Sequence, residues 1–399
     1  MTGAPASGAG RPPLPRTVWA LGLVSLFMDL SSEIIHSLLP LFMTATLGLS
    51  VLAVGIVDGV AEAAANLTRV ASGYVSDRIG RRKPLVLLGY GLAALSKPLF
   101  PLAAGLVPIL VARLSDRIGK GIRGAPRDAL IADVTPPEIR GRAFGLRQAL
   151  DTMGAFVGPL AAIGLMLLFA SDIRLVFWVA VIPALVAVLL VMFAVEEPAP
   201  APDGERPASL RFAELGQLGR AFWSVIAIAV LFTLARFSEA FLILKAAAEG
   251  LPLWLAPLVL VAMNLVYSFG AYPAGIMSDR VSGRWLLLAG FATLVAADLF
   301  LALGSGLVPT FIGIALWGLH MALTQGLLSK MVADAAAPHL RGSAFGLFGL
   351  ATGLAMLVAS VLAGWLWVAI GPSATFAAGA AFALVSAAIL PFARSAARS

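Results

Sequence analysis

A run of charged residues, RLSDRIGKGIRGAPRD, lies between two apolar stretches and concentrates the chemistry of the sequence. On an α-helix, with about 100° between successive residues, Arg113, Arg117 and Lys120 share one stripe with Asp116 and Arg127. If this helix spans a bilayer, the stripe must face a bundle interior or a watery cavity, because a charge among lipid tails costs several kcal/mol. The cations outnumber Asp116. We therefore predict that Arg117 or Lys120 binds an anionic group, while carboxylates of neighbouring helices neutralise part of the surplus.

The first apolar stretch contains a second polar set, in MDLSSEIIHSLLP. Asp29, Glu33 and His36 are three and four residues apart, so they share one helical face. Because burial and neighbouring like charges raise the proton affinity of a carboxyl group, these residues, with Glu62 of the next stretch, are predicted to carry a coupled proton. The same set could bind a divalent metal, but one such set is a weak metal signal, and no metal site is predicted.

Further substrate contacts are expected from polar and aromatic residues inside the apolar stretches. The predicted substrate-binding residues are Arg113, Arg117, Lys120, Arg147, Asp151, Glu239, Asn264, Trp317 and His320. Arg147 and Asp151 lie one helical turn apart and could instead pair with each other, and Trp317 could simply pack in the core. The sequence has no nucleotide-binding loop and no zinc-binding helix of the two-His type, so neither an enzyme nor a cofactor is expected.

The elements that position these residues are predicted to be membrane helices. Of the 399 residues, 60% are hydrophobic and 12% charged, against about 25% charged in a soluble domain. Apolar runs long enough to cross a bilayer lie near residues 18–45, 50–76, 84–104, 107–134, 141–169, 174–195, 221–248, 251–278, 284–304, 308–334, 341–370 and 373–393. The predicted organisation is a disordered cytoplasmic tail (1–16), an N-terminal six-helix bundle (17–195), a cytoplasmic linker (196–220) and a C-terminal six-helix bundle (221–394). This predicts an all-α membrane protein of twelve transmembrane helices.

The two halves repeat each other. GYVSDR at residues 73–78 returns as GIMSDR at 275–280, and IRGRAFGL at 139–146 returns as LRGSAFGL at 340–347. Arginines concentrate in alternate loops, which places both termini in the cytoplasm by the positive-inside rule. Parallel halves of this kind place a substrate site between them, near the bilayer midplane.

GYVSDRIGRRKP resembles the signature loop between helices 2 and 3 of the major facilitator superfamily, and GIMSDRVSGR resembles its weaker copy between helices 8 and 9. The resemblance covers essentially the whole chain and implies two six-helix bundles related by pseudo-two-fold symmetry. It also implies a latch on the cytoplasmic side, for which charges on the turn and a nearby helix N-terminus are suited. The implied gate residues are Gly73, Asp77, Arg78, Arg81, Arg82, Arg140, Asp279, Arg280 and Arg341. Membrane topology alone would also explain the arginines.

In predicted helix 5, Gly145, Gly154, Gly158 and Pro159 follow the spacing of the superfamily's antiporter motif, although Ala162 and Ile163 stand where that motif ends in a glycine pair. Close helix packing would explain the same glycines. In helix 4, RIGKG at residues 117–121 resembles a pattern associated with proton-coupled members.

Together these features predict a secondary active transporter that works by alternating access, is coupled to protons and exports an anionic or amphiphilic compound. The alternative is a proton-coupled importer of an anionic metabolite, ferric chelate or metal ion, and the alternative outside transport is a transporter-like sensor or scaffold. The expected partners are a small molecule, protons and the lipid bilayer, without nucleic acid. A monomer in the inner (cytoplasmic) membrane is expected.

Overall fold

The computed structural model describes residues 13–197, 218–336 and 340–390, and these residues form twelve long helices and no strand. The first six are α1 Arg16–His36, α2 Val51–Ile79, α3 Lys83–Ser96, α4 Leu106–Asp133, α5 Arg140–Leu168 and α6 Ile173–Ala194. The second six are α7 Arg220–Ala235, α8 Leu258–Arg280, α9 Gly283–Leu303, α10 Leu307–Ala335, α11 Arg341–Ala369 and α12 Pro372–Ile389. Each coincides with one predicted apolar run, so the prediction of an all-α fold with twelve helices is confirmed.

Three of these helices continue as shorter pieces. After α1 the chain forms Leu39–Leu41 and a π-helical turn, Phe42–Thr46, and after α3 it forms Leu99–Leu102. α7 stops at Ala235 and resumes as Ala240–Ala248. The interruption contains neither proline nor glycine, and it places Arg236 and Glu239 on the cavity described below.

Eleven helices of the described chain are long and apolar enough to cross a membrane, and α4 is the exception. α4 has 28 residues, ample length for a span, but it carries too many charges to be recognised by hydropathy. Arg113, Asp116 and Arg117 on this helix are buried inside the bundle. The charged stripe therefore faces protein, as its position in a bilayer requires.

The same helix pairs pack in both halves. α1 packs on α5 and α6, as α7 packs on α11 and α12; α4 packs on α2 and α3, as α10 packs on α8 and α9. This equivalence confirms the internal repeat that the sequence suggested. The halves meet along α2 and α11, where Gly55 approaches the backbone of Ser360 so closely that a Cβ would lie 2.2 Å from its carbonyl oxygen.

The predicted tail (1–16) and linker (196–220) lie mostly outside the described residues. The predicted bundle boundaries, 17–195 and 221–394, stay predictions.

Candidate functional site

A cavity of about 740 Å³ lies between the two halves. Its polar and charged lining residues are Glu33, His36, Asp58, Glu62, Asn66, Arg113, Arg117, Lys120, Thr233, Arg236, Ser238, Glu239, Asn264, Tyr267 and Thr352. Of these, the sequence predicted Glu33, His36, Glu62, Arg113, Arg117, Lys120, Glu239 and Asn264 as site residues, so most of the predicted residues meet at one place.

Two arginines of α4 are paired with carboxylates of α2. Arg113 contacts Asp58 at 3.1 Å, through Nη2 as well as Nε, and Arg117 Nη2 lies 3.1 Å from Glu62 Oε1. Both contacts join α2 to α4, and the two contacts lie one helical turn apart. Since a buried charge is costly without a partner, these pairs hold α2 and α4 together and consume two of the predicted surplus cations.

Lys120 is different, because no hydrogen bond or ion pair in the described part of the chain engages its ammonium group. Asp116 was expected to neutralise part of this stripe; it acts on Arg117 through its charge, but its direct ion-pair partner lies outside α4. Its carboxylate turns away from the cavity to Lys97 of the α3 end, at 2.8 Å, and Lys97 also donates to the Ser32 hydroxyl at 2.9 Å. The sequence signal for this pair was Lys97 itself, a single charge in an otherwise apolar run.

The remaining acidic and basic side chains of the cavity form two contacts, each between residues three apart in the chain. His36 Nδ1 lies 3.5 Å from Glu33 Oε2, and Arg236 Nη2 lies 3.8 Å from Glu239 Oε1 at the α7 interruption. Every other acidic or basic side chain of the cavity therefore contacts an ionisable partner, and Lys120 is left as the cation available to a ligand in the described lining.

Asp29 of α1 and Asp151 of α5 lie behind the cavity wall, one helical turn from the lining residues Glu33 and Ala155. Their carboxyl groups lie close enough to act on each other. Ionised carboxylates have only acceptor oxygens, so a hydrogen bond between the two groups would need a proton on one of them. Lys120 lies close enough to act electrostatically on both groups. The sequence analysis predicted that Asp29 carries the proton and that Asp151 binds substrate. In the structure the two residues form one pair.

The cavity wall also has an apolar part. Phe232 and Phe237 from α7, Tyr267 from α8, and Phe348 and Met356 from α11 line it. The predicted site residues include none of these, because apolar side chains in apolar helices give no pattern of their own.

Trp317 and His320 lie behind this wall and not on it. The Trp317 ring is 5.4 Å from the Phe237 ring, and the His320 ring is 6.0 Å from that of Phe232. Both are fully buried. As placed, they support the aromatic wall, and their predicted contact with substrate would need that wall to move.

The two halves contact each other at the end of the cavity away from the loop between α2 and α3, which is called the closed end below. There the Ser238 hydroxyl of the α7 interruption donates to Asp58 Oδ2 at 2.7 Å, while Asp58 Oδ1 is held by Arg113. This hydrogen bond joins the two halves of the molecule. Ser238 was not among the residues that the sequence predicted.

A sequence profile described as Major Facilitator Superfamily matches residues 21–263 and 250–398. The chain belongs to this superfamily. An uncharacterised MFS-type transporter of Methanocaldococcus jannaschii is 31% identical over 385 residues, which cover 95% of each chain. Tetracycline resistance protein class C of Escherichia coli is 29% identical over 290 residues, 68% of this chain and 70% of that protein. The solved nucleoside transporter NupG shares the fold, with a TM-score of 0.79 at 13% identity over 94% of this chain and 99% of its own.

Membership in the superfamily makes the chain a membrane transporter and not an enzyme. Its signature loop is partly described. Arg82 donates to the Ser76 hydroxyl at 2.7 Å and lies 3.5 Å from Asp133 at the α4 end, so the loop is tied to α4. The backbone N–H groups of Arg82 and Lys83 donate to Glu197, which follows α6.

The other predicted gate residues are only partly described. Gly73 faces Ala125 of α4, and Arg140 donates to the Thr135 carbonyl at 3.2 Å. Arg78 and Arg81 are exposed. The side chains of Asp77, Asp279, Arg280 and Arg341 lie outside the described residues, so the superfamily latch stays a prediction.

The glycines of the predicted antiporter motif pack α5 against α1. A Cβ on Gly154 would lie 2.4 Å from the Leu26 carbonyl oxygen, and one on Gly158 would lie 2.6 Å from Glu33 Cβ. Gly145 faces open space. Close packing thus explains Gly154 and Gly158 without reference to transport direction. No group of three His, Asp or Glu side chains that could hold a metal ion occurs among residues with described positions.

Proposed function

We propose that the chain is a proton-coupled transporter of a small organic anion with an apolar body. The observation that carries the proposal is Lys120, a cavity cation without a partner in the described structure, which lies beside the Asp29 and Asp151 carboxyl pair. An unpaired cation in a water-restricted site attracts an anion more strongly than a surface lysine does. The paired arginines, Arg113 and Arg117, contribute structure to the site.

The rest of the cavity fits such a ligand. Its volume of about 740 Å³ is in the range of roughly 300–1,000 Å³ common for small-molecule sites. Lys120 is on the α4 side, and Phe232, Phe237 and Phe348 line the side formed by the C-terminal half. A compound with an anionic group at one end and an aromatic or aliphatic body at the other would satisfy both sides.

The positions of the two sites predict the sign of the coupling. An anion bound at Lys120 places negative charge near Asp29 and Asp151 and so strengthens their hold on a proton. By linkage, the proton strengthens anion binding by the same factor. Substrate and proton then load together, which is symport. With an inward proton gradient across a cytoplasmic membrane, symport drives import.

Export by proton antiport is the second candidate. The similarity to a tetracycline resistance protein favours it. Antiport requires proton and substrate to compete for binding. A cationic ligand would compete with the proton at Asp29 and Asp151, whereas an anionic ligand would not.

Three ligands of similar shape and different charge separate these candidates: benzenesulfonate, neutral benzenesulfonamide and cationic benzyltrimethylammonium. We expect only the sulfonate to raise the melting temperature of the purified protein, because the ligand that binds the folded state stabilises it. The effect should be larger at lower pH and absent in Lys120→Gln. Lys83→Gln, which removes a half-buried lysine that does not line the cavity, is the control and should behave as wild type. Stabilisation by the ammonium alone would overturn the anion proposal, and sulfonate binding that weakens at low pH would favour antiport.

A further inference from the structure

Four charged side chains form a ring next to the Asp29 and Asp151 pair. Arg127 of α4 lies 3.1 Å from Asp128 and 3.8 Å from Asp151. Arg147 of α5 lies 3.3 Å from Asp151 and 3.9 Å from Asp128. Both arginines therefore lie between Asp128 and Asp151. Arg127 is nearer to Asp128, and Arg147 is nearer to Asp151.

The two carboxylates of the ring have different surroundings. The Asp128 side chain is 46% exposed, whereas that of Asp151 is 22% exposed and lies close to Asp29. Arg127 is also anchored to the Ser25 hydroxyl at 3.0 Å, so it can turn between carboxylates without leaving its place. Arg147 Nε makes no hydrogen bond within the described structure and is available to Asp128.

We propose that Asp128 is a positioning residue that sets the proton affinity of the Asp29 and Asp151 pair through Arg127 and Arg147. When the pair is without its proton, the two arginines are held at Asp151. When a proton arrives, the pair carries one negative charge instead of two, so Asp151 attracts the arginines less strongly and Asp128 holds them more firmly. Asp128 thus keeps the arginines from opposing protonation. The inference rests on the proposed proton coupling and adds the element that regulates it.

Other charges also face the pair. Lys120 and Arg123 approach it from α4, and Glu33 lies one turn along α1. α6, which packs on α1 as well, has Arg174 as its one charged residue, at its far start. Arg69 of α2 acts on Arg127, Asp128 and Arg147 through its charge, and all of these groups except Asp128 stay in place in Asp128→Asn.

The test is an infrared titration of the purified protein, in which a protonated carboxyl group is seen by its C=O stretch. The band that disappears in Asp29→Asn belongs to the pair. In Asp128→Asn the two arginines keep Asp151 as the one carboxylate of the ring, so the midpoint of this band should move to lower pH by about one unit. Asp133→Asn is the matched control, because Asp133 is on the same helix, 47% exposed, and contacts Arg82 instead of the ring. Its midpoint should equal that of wild type.

Two further variants test whether Asp128 acts through its charge and through the arginines. Asp128→Glu keeps the charge and should restore the wild-type midpoint, which also guards against a folding defect in Asp128→Asn. In an Arg147→Gln background the shift caused by Asp128→Asn should shrink, because one of the two connecting arginines is gone. An unchanged shift in that background, or no shift at all in Asp128→Asn, would overturn the inference. Absence of an Asp29-dependent band in the wild type would instead overturn the proposed proton site.

Discussion

At the scale of single residues, the partner of each buried cation decides what it can do. Arg113 and Arg117 are paired across α2 and α4, and Lys97 is paired with Asp116, whereas Lys120 has no partner in the described structure. The partner of a paired cation offsets most of its attraction for an anionic ligand. Removing that partner leaves a lone buried charge. The same residue types in one helix therefore divide into structural and ligand-binding groups.

Lys97 and Asp116 are the sharpest case for a structural role, since their side chains are 1% and 5% exposed. Lys97→Met should destabilise the protein by about 3–5 kcal/mol, because Asp116 then stays charged and buried without a partner. Lys97→Met combined with Asp116→Leu should recover most of the loss. Melting temperatures in detergent measure both. If the double variant is no more stable than Lys97→Met, the pair is not what holds Asp116.

At the scale of elements, the contact of α1 with α5 positions the proton site. Asp29 and Asp151 can share a proton because Gly154 and Gly158 let the two backbones approach closely. The antiporter-like spacing of these glycines thus has a local physical cause: it fixes the distance between two carboxyl groups.

Gly154→Ala tests this role. Its new methyl group would lie 2.4 Å from the Leu26 carbonyl oxygen, so α1 and α5 must move apart. This movement also separates Asp29 from Asp151. We expect loss of the Asp29-dependent infrared band and a lower melting temperature. Gly145→Ala is the control on the same helix; with open space around it, it should keep the band and gain up to about 1 kcal/mol from helix propensity. A normal band in Gly154→Ala would contradict the packing account.

At the scale of the whole molecule, the sequence predicted the helices and the two-fold repeat well, because hydropathy and internal similarity are carried by each segment separately. It also predicted most charged cavity residues, since a charge in a membrane helix must face the interior. It did not predict partners. The pairing of Asp116 with Lys97 and the contact of Asp58 with Ser238 were missed, because both depend on how the helices are rotated against each other.

The contact of Asp58 with Ser238 leads to a prediction about alternating access. It joins the two halves at the closed end, so that end can open only when this hydrogen bond breaks. A hydrogen bond to a charged group contributes about 1.5–3 kcal/mol, enough to change a two-state population by roughly tenfold or more. Ser238→Ala should therefore increase the population that is open at this end.

The chain has no cysteine, so two introduced cysteines are the only labelling sites. Thr46→Cys and Ala248→Cys, exposed on opposite halves at the closed end, can carry spin labels whose distance distribution reports opening. Ser238→Ala should enlarge the long-distance population. Because Ser238 also accepts a hydrogen bond from the Ala240 N–H, Ser238→Asp is a useful second variant: it keeps that acceptor, repels Asp58 and should open the end further.

Thr352→Val is the control for this measurement. Thr352 also lines the cavity, but its hydroxyl donates to the Phe348 carbonyl of its own helix at 2.7 Å. This hydrogen bond does not connect the two halves. Its removal should leave the distances as in the parent protein. If Ser238→Ala and Ser238→Asp both match Thr352→Val, the closed end is held by the α2 and α11 backbone contact at Gly55 and not by this hydrogen bond.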